Sequence, residues 1–220
     1  MNNALQVRYV KLHFTIQFPE NCRLPLNKVS ALRGGMGEML LRVNCIKNRD
    51  CENCGFESEC IVQRIMYARF EKKPYFVTTG ESVGYVLECE NYREEFQKGD
   101  TLDFQMILFG KTIVYLNQMV QAFHMLGLEG IGKNHAKFRI LSITNTKKHQ
   151  LLEGNNIYMS QYQVSTLQEY VDYRLRQIKY TELENEIVFK TPLTLKYKGE
   201  FYRNFRCRQF WKEFLEEFIC

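Results

Sequence analysis

Two groups of residues have types and spacings that could carry chemistry. Cys45, Cys51, Cys54 and Cys60 fall within sixteen residues in the pattern C-x5-C-x2-C-x5-C. The stretch Cys51-Glu52-Asn53-Cys54-Gly55 reads as a tight turn that presents two thiolates, with nearby N–H groups to stabilise their charge. Four thiolates in a tetrahedral array suit Zn²⁺, at about 2.3 Å per bond, and an iron–sulfur cluster also accepts four cysteines. Four protein ligands leave no open position for water, so the expected metal is a structural zinc and not a catalytic one. The competing reading is a loop of free thiols.

The second group is a glycine loop. Gly127, Gly130 and Gly132 are followed at once by Lys133, His135 and Lys137. Glycines let a backbone turn tightly and approach a ligand, leaving N–H groups free to point outward. Residues 111–150 hold six basic side chains against Glu129 alone, a surplus equal to the whole net charge of +5. A modest net charge concentrated in one patch fits nucleic acid better than a membrane. The competing reading is a solvated basic face.

Four histidines are present: His13, His124, His135 and His149. Attack of a ribose 2′-OH on the adjacent phosphate needs a base, an acid and a cation, which a histidine and a lysine can supply without a metal. His135 shares the basic loop with Lys133 and Lys137, and His13 lies on the polar face of a strand; these two are the catalytic candidates. No P-loop, nucleophile elbow or Rossmann glycine pattern occurs in a suitable setting.

The elements that position these groups follow from periodicity. Val10, Leu12, Phe14, Ile16 and Phe18 alternate with polar residues, which predicts a half-buried strand. After Pro25, apolar residues from Val29 to Val43 repeat at helical spacing, with Gly34, Gly35 and Gly37 inside for close packing or close ligand approach. The cysteine segment follows, to about Tyr67. Short extended pieces are expected at Phe76–Thr78 and Tyr85–Leu87, a strand over Leu102–Leu108, a helix from Ile113 stopping at Gly127, and a last strand from Phe138 to Ile143.

That order, strand, helix, strand, strand, helix, strand, predicts an α+β fold: a ferredoxin-like (RRM-like) βαββαβ domain over 1–144 with a metal-binding insertion over 45–67. Residues 145–185 read as a polar linker and connecting segment. Residues 186–220 read as the start of a second ferredoxin-like unit, a strand ending near Lys198 and a helix bearing Phe210, Trp211, Phe214, Leu215 and Phe218. A strand and one helix cannot bury such a face alone, so the second unit is expected to be incomplete. No targeting segment and no run of about 20 apolar residues is visible, which predicts a cytoplasmic protein without a membrane partner.

An ordered set of motifs carries a family resemblance. Leu32-Arg33-Gly34-Gly35-Met36-Gly37 precedes the four-cysteine segment, then Met66-Tyr67-Ala68-Arg69-Phe70, the glycine loop, and Thr191-Pro192-Leu193-Thr194-Leu195-Lys196. Together they resemble the CRISPR-associated repeat-RNA-processing endoribonucleases of the RAMP superfamily, in the branch with cysteines after the first helix. The resemblance implies two ferredoxin-like domains in tandem, binding of CRISPR repeat RNA, and cleavage by 2′-OH attack without a catalytic metal. It also implies transfer of the guide RNA to proteins of a CRISPR interference complex. It places RNA contacts on the loop before the last strand, here Gly127, Gly130, Gly132, Lys133, Asn134, Lys137 and Arg139. Residues 26–43 contain no histidine, where the family often keeps its general base, and residues 186–220 are expected to supply only the first strand and helix of the second domain. Three readings result: an endoribonuclease completed by a fuller second domain, a non-catalytic RNA-binding subunit of a CRISPR complex, and a zinc-stapled structural or interaction domain.

Overall fold

The computed structural model describes residues 3–67, 84–154, 156–178, 196–197 and 200–201. The chain divides into two compact units, one of Met1–Phe70 with Glu81–Leu183 and one of Glu71–Gly80 with Glu184–Cys220.

In the first unit, strand β1 (Arg8–Gln17) is the centre of the sheet. Its alternation buries Val10, Leu12, Phe14 and Ile16 and turns Lys11, His13, Thr15 and Gln17 to the other face. A short strand β2 (Cys22–Arg23) leads to helix α1 (Lys28–Asn44). The Asn27 side chain accepts a hydrogen bond from the Ser30 N–H at 3.1 Å and so caps that helix. Helix α2 (Ile61–Met66) follows the cysteine segment. Then come β3 (Tyr85–Glu88), β4 (Glu95–Phe96), which pairs with β2, and β5 (Thr101–Phe109). A 3-10 turn leads into α3 (Leu116–Glu129), and β6 (Arg139–Asn145) completes the core set.

The strands run β3-β5-β1-β6, every pair antiparallel. Strand, helix, strand, strand, helix, strand in that spatial order is the split βαβ arrangement expected from the periodicity. Helices α1 and α3 pack against each other over one face of the sheet. Between the layers Phe14, Phe104 and Phe123 meet with ring centroids 4.9–5.5 Å apart. Removing one such ring costs about 3–5 kcal/mol. A Cβ on Gly35 would lie 2.5 Å from a Leu126 methyl, and one on Gly37 2.7 Å from Met66 Cε, so these two glycines serve helix packing. On the opposite face the central side chains of β1 and β5, among them Lys11, His13, Gln105 and Ile107, are partly exposed.

Within the stretch read as a polar linker, the sheet continues through β7 (Gln150–Glu153) and β8 (Asn156–Ile157). Strand β9 (Ser165–Thr166) then pairs with Arg8 and Tyr9 at the start of β1, and α4 (Leu167–Ile178) follows. In the second unit the described residues form one small hairpin, β10 (Lys196–Tyr197) with β11 (Glu200–Phe201). The strand expected at 76–78, most of that over 186–198, and the helix bearing Phe210 to Phe218 lie outside the described residues.

Candidate functional site

Helix α3 ends at the glycine loop, and the loop closes on itself. Gly130 takes φ +98° and donates its N–H to the Leu126 carbonyl at 2.7 Å. Ile131 and Ala136 exchange both backbone hydrogen bonds, at 2.9 and 3.0 Å, and His135 N–H reaches Gly132 O at 3.2 Å. A Cβ on Gly130 would sit 2.2 Å from the carbonyl oxygen of His135, backbone that has nowhere to go. Ile131, Ala136 and Phe138 are buried and root the loop in the core. The sequence expectation of outward N–H groups is therefore corrected for most of the loop. The amides of Gly130, Ile131, His135, Ala136 and Phe138 are spent inside it, and those of Lys133 and Asn134 at the tip make no backbone bond.

What the closed turn presents is side chains. Gly132, Lys133, Asn134, His135, Lys137 and Arg139 are all exposed. Among the described residues neither Lys133 nor Lys137 enters an ion pair. Arg139 donates from Nε and Nη2 to Gln17 Oε1, at 3.1 and 2.6 Å, which orients it at the end of the open sheet face. Lys133 on the turn, Lys137 just after it and Arg139 at the start of β6 are thus exposed cations close together in the chain, the residue types that a phosphate-bearing ligand would need.

The two histidine candidates are not brought together. His135 stands at the loop tip with φ +48°. His13 sits mid-strand between Gln105 of β5 and Thr144 of β6. Four residues of strand, about 13 Å, separate it from Gln17 beside the loop. Burial lowers the pKa of His13 below its ordinary value, Lys11 and Lys148 lower it further, and Asp103 and Glu88 oppose them. The shift favours the neutral imidazole, the form a general base needs.

Cys45, Cys51, Cys54 and Cys60 line one cavity of about 400 Å³ beside α1 and α2. Arg49 N–H donates to Cys45 Sγ at 3.1 Å. Asn48 and Arg49 have φ of +48° and +70°, and Gly55 follows Cys54 with φ +67°, so each cysteine turn is tight. Arg49 also pairs with Glu38, which takes Arg42 at 3.3 Å. The pKa of Glu38 is lowered, chiefly by the Arg49 hydrogen bond. Among the described residues no group of three or more His, Cys, Asp or Glu is arranged to hold a metal ion. The four thiols share a cavity and are not drawn to one point. The buried Oε1 of Gln118, in the lining of the same cavity, has no hydrogen-bond partner among the described residues.

Sequence reading missed an aromatic cluster on the open face. Tyr9 lies directly opposite Phe109, with centroids 6.4 Å apart, and Tyr170 of α4 meets Tyr9 edge-on at 6.5 Å. The signal was present in Tyr9, which continues the alternation of β1 on its outer side.

A family described as AF_1859_N, N-terminal domain, matches residues 5–171. No protein of curated function matches the chain. Among solved structures the chain is similar to a subunit in the crystal structure of the Csm3-Csm4 subcomplex of the type III-A CRISPR-Cas interference complex. Identity is 17%, the match covers 80% of this chain and 98% of that one, and the TM-score is 0.41.

Proposed function

Since the chain belongs to the AF_1859_N family, matched from residue 5 to 171, we propose that this family domain is an RNA-binding module and that the chain engages CRISPR repeat RNA in the cytoplasm. One observation carries the binding: a closed, core-rooted turn that holds Lys133, Asn134, Lys137 and Arg139 exposed. The CRISPR assignment rests on the ordered motifs from Leu32 to Lys196, and with it comes an interference complex as the protein partner. Binding without cleavage is the reading the geometry supports best, because His13 and His135 stand apart and neither bonds another side chain among the described residues.

Cleavage is the second reading, favoured by the lowered pKa of His13 on the open face. In it His13 takes the proton of a ribose 2′-OH, the 2′-oxygen attacks the adjacent phosphorus, and the bond to the 5′-oxygen breaks; that oxygen takes a proton from solvent water and leaves as a 5′-hydroxyl, and a 2′,3′-cyclic phosphate remains. No metal is required for that step. We propose also that the cysteine cavity holds a structural zinc. Supporting this are the two tight turns and the N–H donated to Cys45.

The test is a repeat-RNA titration from low to high salt. RNA binding through this turn requires that affinity fall steadily as salt rises; affinity independent of salt would sink it and leave the zinc-stapled interaction domain. Incubation with the same RNA in EDTA separates the two readings. A cyclic-phosphate product lost in His13→Ala establishes cleavage; intact RNA establishes binding alone.

A further inference from the structure

We propose that a single-stranded RNA segment crosses the open face of the sheet, from the lysine turn at one end to the Tyr9–Phe109–Tyr170 cluster at the other. The inference rests on the RNA-binding reading and names the path and the strandedness of the ligand. The outer side chains of β1 run Tyr9, Lys11, His13, Thr15 and Gln17, and those of β5 run Phe109, Ile107, Gln105, Asp103 and Thr101 in the paired register. Arg139, on the turn side, is anchored to Gln17. Tyr9 lies eight residues up the same strand, about 27 Å away, a span for about four or more nucleotides.

The middle of the face suits bases and not a row of phosphates. Of the carboxylates on this face, Glu88 pairs with Lys11 at 3.0 Å and Asp103 accepts from the Thr15 hydroxyl at 2.6 Å, while Glu153 of β7, opposite Ser142 at the sheet margin, is exposed. Around them Gln105, Thr144 and Ser142 offer hydrogen bonds without net charge. Lys133 and Lys137 precede Arg139, which pairs with Gln17, and Lys147 and Lys148 lie in the turn after Asn145, which pairs with Leu12 of β1. At the far end Tyr170 and Tyr173 of α4 are 49% and 52% exposed, and Tyr9 and Phe109 are partly exposed. Partly exposed Tyr9 and Phe109 on adjacent central strands, with the exposed Tyr170 of α4 edge-on against Tyr9, offer the aromatic surface that stacking of unpaired bases requires. A duplex would present its phosphates to the face and keep its bases from the rings.

The full chain is tested with an unstructured RNA octamer carrying 4-thiouridine at single positions. Ultraviolet crosslinks are expected on peptides holding Tyr9, Phe109 or Tyr170. Tyr170→Leu, at an exposed position that does not threaten folding, is expected to weaken octamer binding roughly tenfold, and Tyr170→Phe to retain it. The slope of log affinity against log salt stays unchanged in Tyr170→Leu, because stacking releases no counterions, whereas Lys133→Ala with Lys137→Ala lowers it. If the octamer crosslinks elsewhere and Tyr170→Leu binds within twofold of wild type, the path is wrong; weakened binding in the lysine variant then shows that the RNA reading itself survives. If neither the octamer nor repeat RNA binds, both fall. If Tyr170→Leu alters only self-association, the face belongs to a protein and the proposal is overturned.

Discussion

Phe138 closes the glycine loop onto Gly127: its N–H donates to the Gly127 carbonyl at 3.0 Å, and a Cβ on residue 127 would lie 2.3 Å from the Phe138 carbonyl oxygen. The end of α3 and the start of β6 thus touch backbone to backbone.

Gly127→Ala has to move that backbone. Overpacking of this kind costs about 1–3 kcal/mol, more than the gain of about 1 kcal/mol from replacing a helical glycine. Gly34→Ala is the control, since a Cβ there meets nothing within 4 Å. Thermal melts should show Gly127→Ala below wild type and Gly34→Ala at or above it. The reverse order would mean the loop is not closed as described.

Lys133→Ala with Lys137→Ala should weaken repeat-RNA binding and flatten its salt dependence. Each phosphate contact to a single strand contributes about 0.7 to the slope of log affinity against log salt, so the double variant loses about 1.4. Neither lysine is paired within the described residues, so stability should be unaffected. Unchanged binding removes the turn from the interface.

The contrast between what sequence exposes and what it hides follows from range. Period two from Val10 to Phe18 is local, and it identified the central strand because one face is buried almost completely. The position of the glycine loop was legible because Gly127 ends an amphipathic helix immediately before an apolar strand. The use of its amides was not, since the Ile131–Ala136 pairing depends on a turn geometry that exposed polar residues do not encode. Strands β7 and β8 were hidden for a related reason: at the sheet margin, Gln150, Glu153 and Asn156 are exposed and carry no clear alternation. The Tyr9–Phe109 pair needed a register across one hundred residues. Four cysteines announced a shared site by spacing alone, and spacing carries no information on how far their sulfurs have converged.

Zinc should be present at about one atom per chain when the purified protein is measured by inductively coupled plasma mass spectrometry. Stripping it with a strong chelator should destabilise the fold. A ligand at a thousandfold excess over its Kd contributes about 4 kcal/mol, roughly 8–16 °C in Tm for a chain of this size. Cys54→Ser should reproduce the loss without chelator. A melt indifferent to both would leave the segment a loop of free thiols.

His13 supplies the pH prediction. Its pKa is lowered in the folded protein, first by burial and then by Lys11 and Lys148 against Asp103 and Glu88. A group whose folded pKa is depressed contributes stability that is present above the unfolded value, about 6.5 for histidine, and lost as pH falls through the folded value. Wild type should therefore lose stability between pH 7 and 5 relative to His13→Gln, by a small amount because the ring is partly solvated. An NMR titration of the imidazole should give a midpoint below 6.5. Lys11→Gln should raise that midpoint, since the ammonium disfavours the imidazolium and its loss also frees Glu88, which favours it, from its 3.0 Å ion pair. A midpoint at or above the ordinary value would show that the ring is charged near neutrality, and His13 would no longer serve as the base of the cleavage reading.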